Sequence, residues 1–108
     1  MFDFENLEVY KKSKFFYREI RSGVISTTLE GATKNQLNRA ALSIVLNIAE
    51  GSGRNSKADK RNFFVISRGS VFECIAVLDI LKEEKLITVE KFQEYYAQAE
   101  EIPKCSIQ

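Results

Sequence analysis

From Lys34 to Lys85 apolar residues recur at helical spacing, and the only break is the short run GSGRNS. A chain with two such helices in succession has few folds open to it, because each must bury its apolar side against another helix. The first, expected over 34–50, has a wide apolar arc of Leu37, Ala41, Ile44, Val45 and Ile48, joined by Leu42 and Ala49. Its polar remainder is a narrow stripe of Arg39, Ser43, Asn47 and Glu50. A helix that apolar belongs in the middle of a bundle.

The second, expected over 57–85, sets Phe63, Ser67, Ser70, Cys74, Val77 and Leu81 on one face, with small residues where a neighbouring helix can approach. Nearly opposite stand Val65, Phe72 and Ala76. A monomeric bundle has no use for that second apolar stripe. It reads as a contact with another subunit, the alternative being cover by a loop.

Shorter helices flank this pair. Over 6–22, Val9, Ser13, Phe16, Tyr17, Ile20 and Val24 share one side, while Lys11, Lys14, Arg18 and Arg21 share another. A fourth helix over 88–102 begins at Thr88, a good N-cap, with Glu90 and Glu94 near its positive end. Val89, Phe92, Tyr96 and Ala99 mark its expected buried stripe, and Pro103 should stop it by about Ile102. The expectation is an all-α protein, an antiparallel up-and-down four-helix bundle with a short fourth helix. At 108 residues and 44% hydrophobic content, 1–108 suits a single domain with one core.

The absence of histidine removes every His-dependent triad, imidazole base and Cys/His zinc site. The two cysteines, Cys74 in an apolar helical pattern and Cys105 in the tail, form no metal-spaced pair. No catalytic residue, metal or cofactor is expected, so the chain reads as a non-enzyme. MFDFENLEVY does not resemble a signal peptide, and AALSIVLNIA is too short and polar to span a bilayer. A cytoplasmic protein is the expectation.

A net charge of +1 hides a strong asymmetry. Residues 1–9 carry three acids and no base; residues 10–70 carry twelve Lys/Arg against four Asp/Glu; residues 71–108 carry four against eight. The segments are therefore −3, +8 and −4. A basic middle with acidic flanks fits an anionic partner, or a head-to-tail match between copies of the chain.

GSGR is not a phosphate loop. Walker A needs GxxxxGK[ST] after a strand, and a dinucleotide fingerprint needs three glycines opening a βαβ unit. Gly51 reads instead as a left-handed C′ residue, and Ser56 with Asp59 as the cap of the next helix. Beyond the hinge, Lys57, Arg61 and Arg68 fall within about 40° on a helical wheel. Phe64 lies among them, and Arg54 and Lys60 stand at the entrance. Cations beside an aromatic can hold phosphates and stack a base, or they can meet the acidic half of the same or another subunit. Both readings stay open, as does a scaffold or protein-partner adaptor with no nucleic-acid role. Arg39 and Glu50 are also placed to pair with Glu73 and Arg68, a structural polar network that would include Asn47.

LEVYKKSKFFYREI and LNRAALSIVLNIAEGSGRNSKADKRNFFVISRGSVFEC, followed by AVLDIL, resemble the proteins encoded by intervening sequences in bacterial 23S rRNA genes. The resemblance covers about residues 4–100, and SIVLNIAEGSGR followed by RNFFVISRGS is its most specific part. It is similar too to the accessory protein of diversity-generating retroelements. The resemblance implies an antiparallel four-helix protomer, homo-oligomers in the form of pentameric rings, and RNA such as rRNA as the suspected partner. It implies no established activity. Arg39, Asn47, Glu50, Gly51, Arg54, Arg68, Gly69, Ser70 and Glu73 match the family's characteristic positions. The sequence departs from the pattern at EEIPKCSIQ, where relatives continue the fourth helix through an apolar segment.

Overall fold

A computed structural model describes residues 2–27 and 30–104. These form α1 (Glu8–Ile20), α2 (Gly31–Ser52), α3 (Lys57–Glu83) and α4 (Val89–Lys104), with no strand among the described residues. A 3-10 turn, Asp3–Asn6, precedes α1, and a π-turn, Arg21–Ile25, extends it. The helices pack in a ring of neighbours, α1 on α2, α2 on α3, α3 on α4 and α4 back on α1, without diagonal contacts. This is the up-and-down four-helix bundle, about 44 × 24 × 24 Å. At 16 residues α4 covers less of the bundle than the 27-residue α3. Cys105 lies outside the described residues.

The core runs through all four helices, with Phe16, Ile20, Leu37, Ile44, Ile48, Leu78, Leu81 and Tyr95 fully enclosed. Each large side chain so buried contributes about 1.5–3 kcal/mol. On α1 the buried set is Val9, Ser13, Phe16 and Ile20, continued by Val24 in the π-turn, while Tyr17 is half-buried. Close packing of α2 on α3 is made possible by small polar residues. Ser67 donates to the Ile44 carbonyl at 2.9 Å, and Ser70 donates to the Ser43 hydroxyl at 2.9 Å. Asn47 in turn donates to the Ser43 carbonyl at 2.8 Å, so the buried hydroxyls are satisfied where an unpaired one would cost about 1–3 kcal/mol.

Several local expectations need correction. Gly51 is not a left-handed cap: no glycine has positive φ among the described residues, and α2 runs through it to Ser52. Its hydrogen serves helix packing instead, because a Cβ there would lie 2.8 Å from Phe63 Cβ and 3.4 Å from the Lys60 carbonyl. Helix α2 also begins earlier than Lys34, because the Glu30 carboxylate caps it by accepting from the Ala32 and Thr33 amides at 2.9 and 2.7 Å. Those bonds, with that from the Thr33 hydroxyl foremost, hold the Glu30 carboxyl below its ordinary pKa. Ser56 and Thr88 act as expected, accepting from the Asp59 and Lys91 amides at 3.1 and 3.0 Å.

On α3 the buried face is Ser67, Ser70, Val71, Cys74, Leu78 and Leu81, with Phe63 and Val77 only half-buried. On α4 it is Tyr95, Ala99 and Ile102, while Val89 and Tyr96 are exposed and Phe92 is half-buried. Helix α4 passes Pro103 to Lys104, since proline fixes a helix-compatible φ and removes only its own amide. The turn into α4 uses Lys85 at φ 63°, with the Leu86 amide reaching back to the Leu81 carbonyl at 2.9 Å.

Candidate interaction surfaces

Helices α1 and α4 are amphipathic in the ordinary sense, but α2 and α3 carry apolar side chains on both sides. With its core face packed, α3 leaves Val65, Phe72 and Ala76 exposed on the opposite side, Phe72 at 67%. Ile66 and Ile80, missed in the sequence reading, lie beside them and are about half exposed. Gly69 is open to solvent, and nothing would obstruct a Cβ there. Leu46 stands out from α2 at 52% exposure. Its signal was present in the sequence, four residues beyond Leu42 on the side away from the core.

Between α3 and α4 lies an open groove of about 630 Å³. Phe72 and Ala76 from α3 and Phe92 and Tyr96 from α4 give it an apolar floor, and the carboxylates Asp79 and Glu100 stand on its margin. The groove exists because α4 turns Tyr95, and not Tyr96, into the core.

The expected basic faces separate into two. Lys11, Lys14, Arg18 and Arg21 are all exposed on α1, with Phe15 among them at 47% exposure. Lys14 sits 4.8 Å over the Tyr10 ring, and Arg21 donates to the Tyr17 hydroxyl at 2.8 Å. Lys57, Arg61 and Arg68 are exposed on α3, which is diagonal to α1. None of these seven cations has an ion-pair partner among the described residues. The acidic half of the same protomer therefore does not neutralise them.

Other members of the basic cluster are less available. Arg54 is engaged by Glu50 at 2.9 Å and lies 4.6 Å over the Phe63 ring. Lys60 is half-buried, and Phe64 is half-buried against the core, which hides part of the ring a base would stack on.

The cross-helix network takes a different form from that expected. Glu50 pairs with Arg54 one turn on, and Glu73 accepts from Gln36, so neither reaches Arg68 or Arg39. Asn47 bonds within α2. Arg39 and Arg68 are both exposed and without an ion pair among the described residues. They point outward from the bundle, where the register of α2 on α3 is fixed by serines and not by charges.

Catalytic groups do not converge anywhere on these surfaces. Among the described residues no group of three or more Cys, Asp or Glu side chains is placed to hold a metal. Burial, with a smaller push from Glu73, raises the Cys74 thiol to about 12, so its nucleophilic thiolate is scarce at neutral pH. No helix of the described residues is long and apolar enough to cross a membrane.

The fold and these surfaces define a small helical-bundle protein with exposed apolar and basic faces. More specifically, the chain belongs to the 23S rRNA-intervening sequence protein family, whose pattern it matches over residues 5–107. It is similar to the crystal structure of a protein with unknown function from the S23 ribosomal protein family of Bacteroides thetaiotaomicron VPI-5482. The two share 26% identity at a TM-score of 0.75, over 89% of this chain and 92% of that one. No curated protein matches the chain.

Proposed function

We propose that the chain is a non-catalytic cytoplasmic bundle that associates with copies of itself in a closed ring and offers its basic helix faces to RNA. The carrying observation is the outward stripe of α3: Val65, Phe72 and Ala76 are exposed on a helix whose other side is fully packed. Exposed apolar stripes of this kind mark interaction sites. The seven unpaired cations on α1 and α3 support the RNA reading, and the family's rRNA-derived name makes structured RNA the natural probe.

Light scattering tests the assembly. Phe72→Glu should lower the solution mass while helical content stays unchanged; an unchanged mass refutes the stripe as the interface. RNA binding through phosphates should weaken steeply with salt, and charge reversal of Lys57, Arg61 and Arg68 together should weaken it and flatten the salt slope. Absent or salt-insensitive binding to rRNA fragments and generic RNA, with assembly intact, would leave a scaffold that uses its cations on neighbouring subunits.

A further inference from the structure

Two surfaces of the bundle remain apolar and uncovered on different sides. One is the outward side of α2, where Leu46 is half exposed with Leu42 and Ala49 half-buried next to it. The other is the groove between α3 and α4, floored by Phe72, Ala76, Phe92 and Tyr96. Helices α2 and α4 are diagonal and make no contact, so a protomer cannot fill its groove with its own α2.

Charge distinguishes the possible occupants. The groove carries Asp79 and Glu100 on its margin, and Glu100 has no ion pair among the described residues. The exposed N-terminal Phe2 is flanked by Asp3 and Glu5, the same sign as the groove. Leu46 shares its helix face with Arg39, two turns earlier, and that arginine also has no partner. Phe15 on α1 has cations around it as well, but its helix is otherwise polar on that side. Only α2 brings an extended apolar ridge together with an uncompensated cation.

We infer that the α2 ridge of one copy, led by Leu46, seats in the α3–α4 groove of the next, with Arg39 directed at Asp79 and Glu100. The contact rests on the self-association reading above and specifies its geometry. Because ridge and groove are different surfaces, each protomer uses both, and the association is head-to-tail. A head-to-tail contact closes into a ring when its rotation divides a full turn. It also gives Arg39 a partner that α3 of its own chain does not supply.

Mixing variants tests this. Leu46→Glu breaks the ridge and Tyr96→Glu breaks the groove; both sites are exposed, and circular dichroism confirms that each variant folds. Each alone should be a monomer, with association weakened at least about 30-fold, as when a central interface side chain is lost. Mixed together they should form a 1:1 dimer, because one intact ridge meets one intact groove. Arg39→Glu should weaken assembly, and adding Asp79→Lys with Glu100→Lys should restore part of it. Wild-type mass for Leu46→Glu, or a mixture that stays monomeric, overturns the assignment. If Phe72→Glu dissociates the protein while Leu46→Glu does not, self-association stands and this contact falls. A monomeric wild type removes both.

Discussion

Replacing Gly23 by alanine tests the packing of α4 on α1 at one point. Gly23 lies in the π-turn, and a Cβ built there would overlap the Tyr95 hydroxyl, with ring Cζ 3.4 Å away. A surface tyrosine would swing aside, but Tyr95 is 1% exposed and its rigid ring has nowhere to go. Overpacking of this kind costs about 1–3 kcal/mol, against which alanine gains up to about 1 kcal/mol over glycine in a helical segment. The net expectation is a loss of about 1–2 kcal/mol, or roughly 5–10 °C in Tm for a domain of this size. In a Tyr95→Phe background the overlapping oxygen is gone and the nearest ring atom stands at ordinary contact distance. There Gly23→Ala should be neutral or stabilising by up to about 1 kcal/mol. Denaturant unfolding of the four proteins, at one fixed protein concentration because assembly adds to apparent stability, gives the coupling energy. It should be about 2 kcal/mol. Equal effects of Gly23→Ala in both backgrounds would refute the argument.

Two further outcomes follow from single residues. Lys85 holds a left-handed conformation at the end of α3, so Lys85→Gly should raise stability by about 0.5–1 kcal/mol in denaturant unfolding; a loss would mean its side chain matters more than its φ. The Cys74 pKa is raised from 9.0 to about 12 in the folded state, so its contribution is complete below about pH 9 and is lost as pH rises toward 12. Stability should therefore fall by up to about 1.4 kcal/mol per pH unit across that window, and Cys74→Ala should remove this component of the slope.

How far the sequence was legible depends on how many periodic patterns a helix offers. On α1 only one stripe was apolar, and Val9, Ser13, Phe16, Ile20 and Val24 are buried as its spacing required. On α4 two stripes had the same period. Val89, Phe92, Tyr96 and Ala99 competed with Phe92, Tyr95, Ala99 and Ile102, and periodicity alone could not choose. The choice was made by another helix: the bare backbone at Gly23 admits the Tyr95 ring, so Tyr96 turns outward and becomes the wall of a groove. Gly51 was ambiguous for a related reason. A glycine near a helix end serves equally well as a left-handed cap or as a site of close approach, and only the position of Phe63 on α3 decides for the second.

The charges carry the same lesson one level higher. Arg39, Glu50, Arg68 and Glu73 share a spacing that would knit α2 to α3, yet Ser43, Ser67 and Ser70 do that work with short neutral bonds. Ion pairs across a close helix contact would need room for long side chains, and serines let the backbones approach. The displaced arginines then stand on the outside of the two helices that are also too apolar for water. If the apolar stripes become buried between copies, an arginine on their border must find an anion or lose its hydration without compensation. Arg39 lies on the α2 ridge, within reach of the carboxylates that margin the neighbour's groove. Arg68 lies on the stripe of Lys57 and Arg61, where no acidic surface of the protomer competes for it. Assembly and RNA binding thus draw on different arginines, and reversing Arg39 should affect solution mass while reversing Arg68 affects RNA affinity.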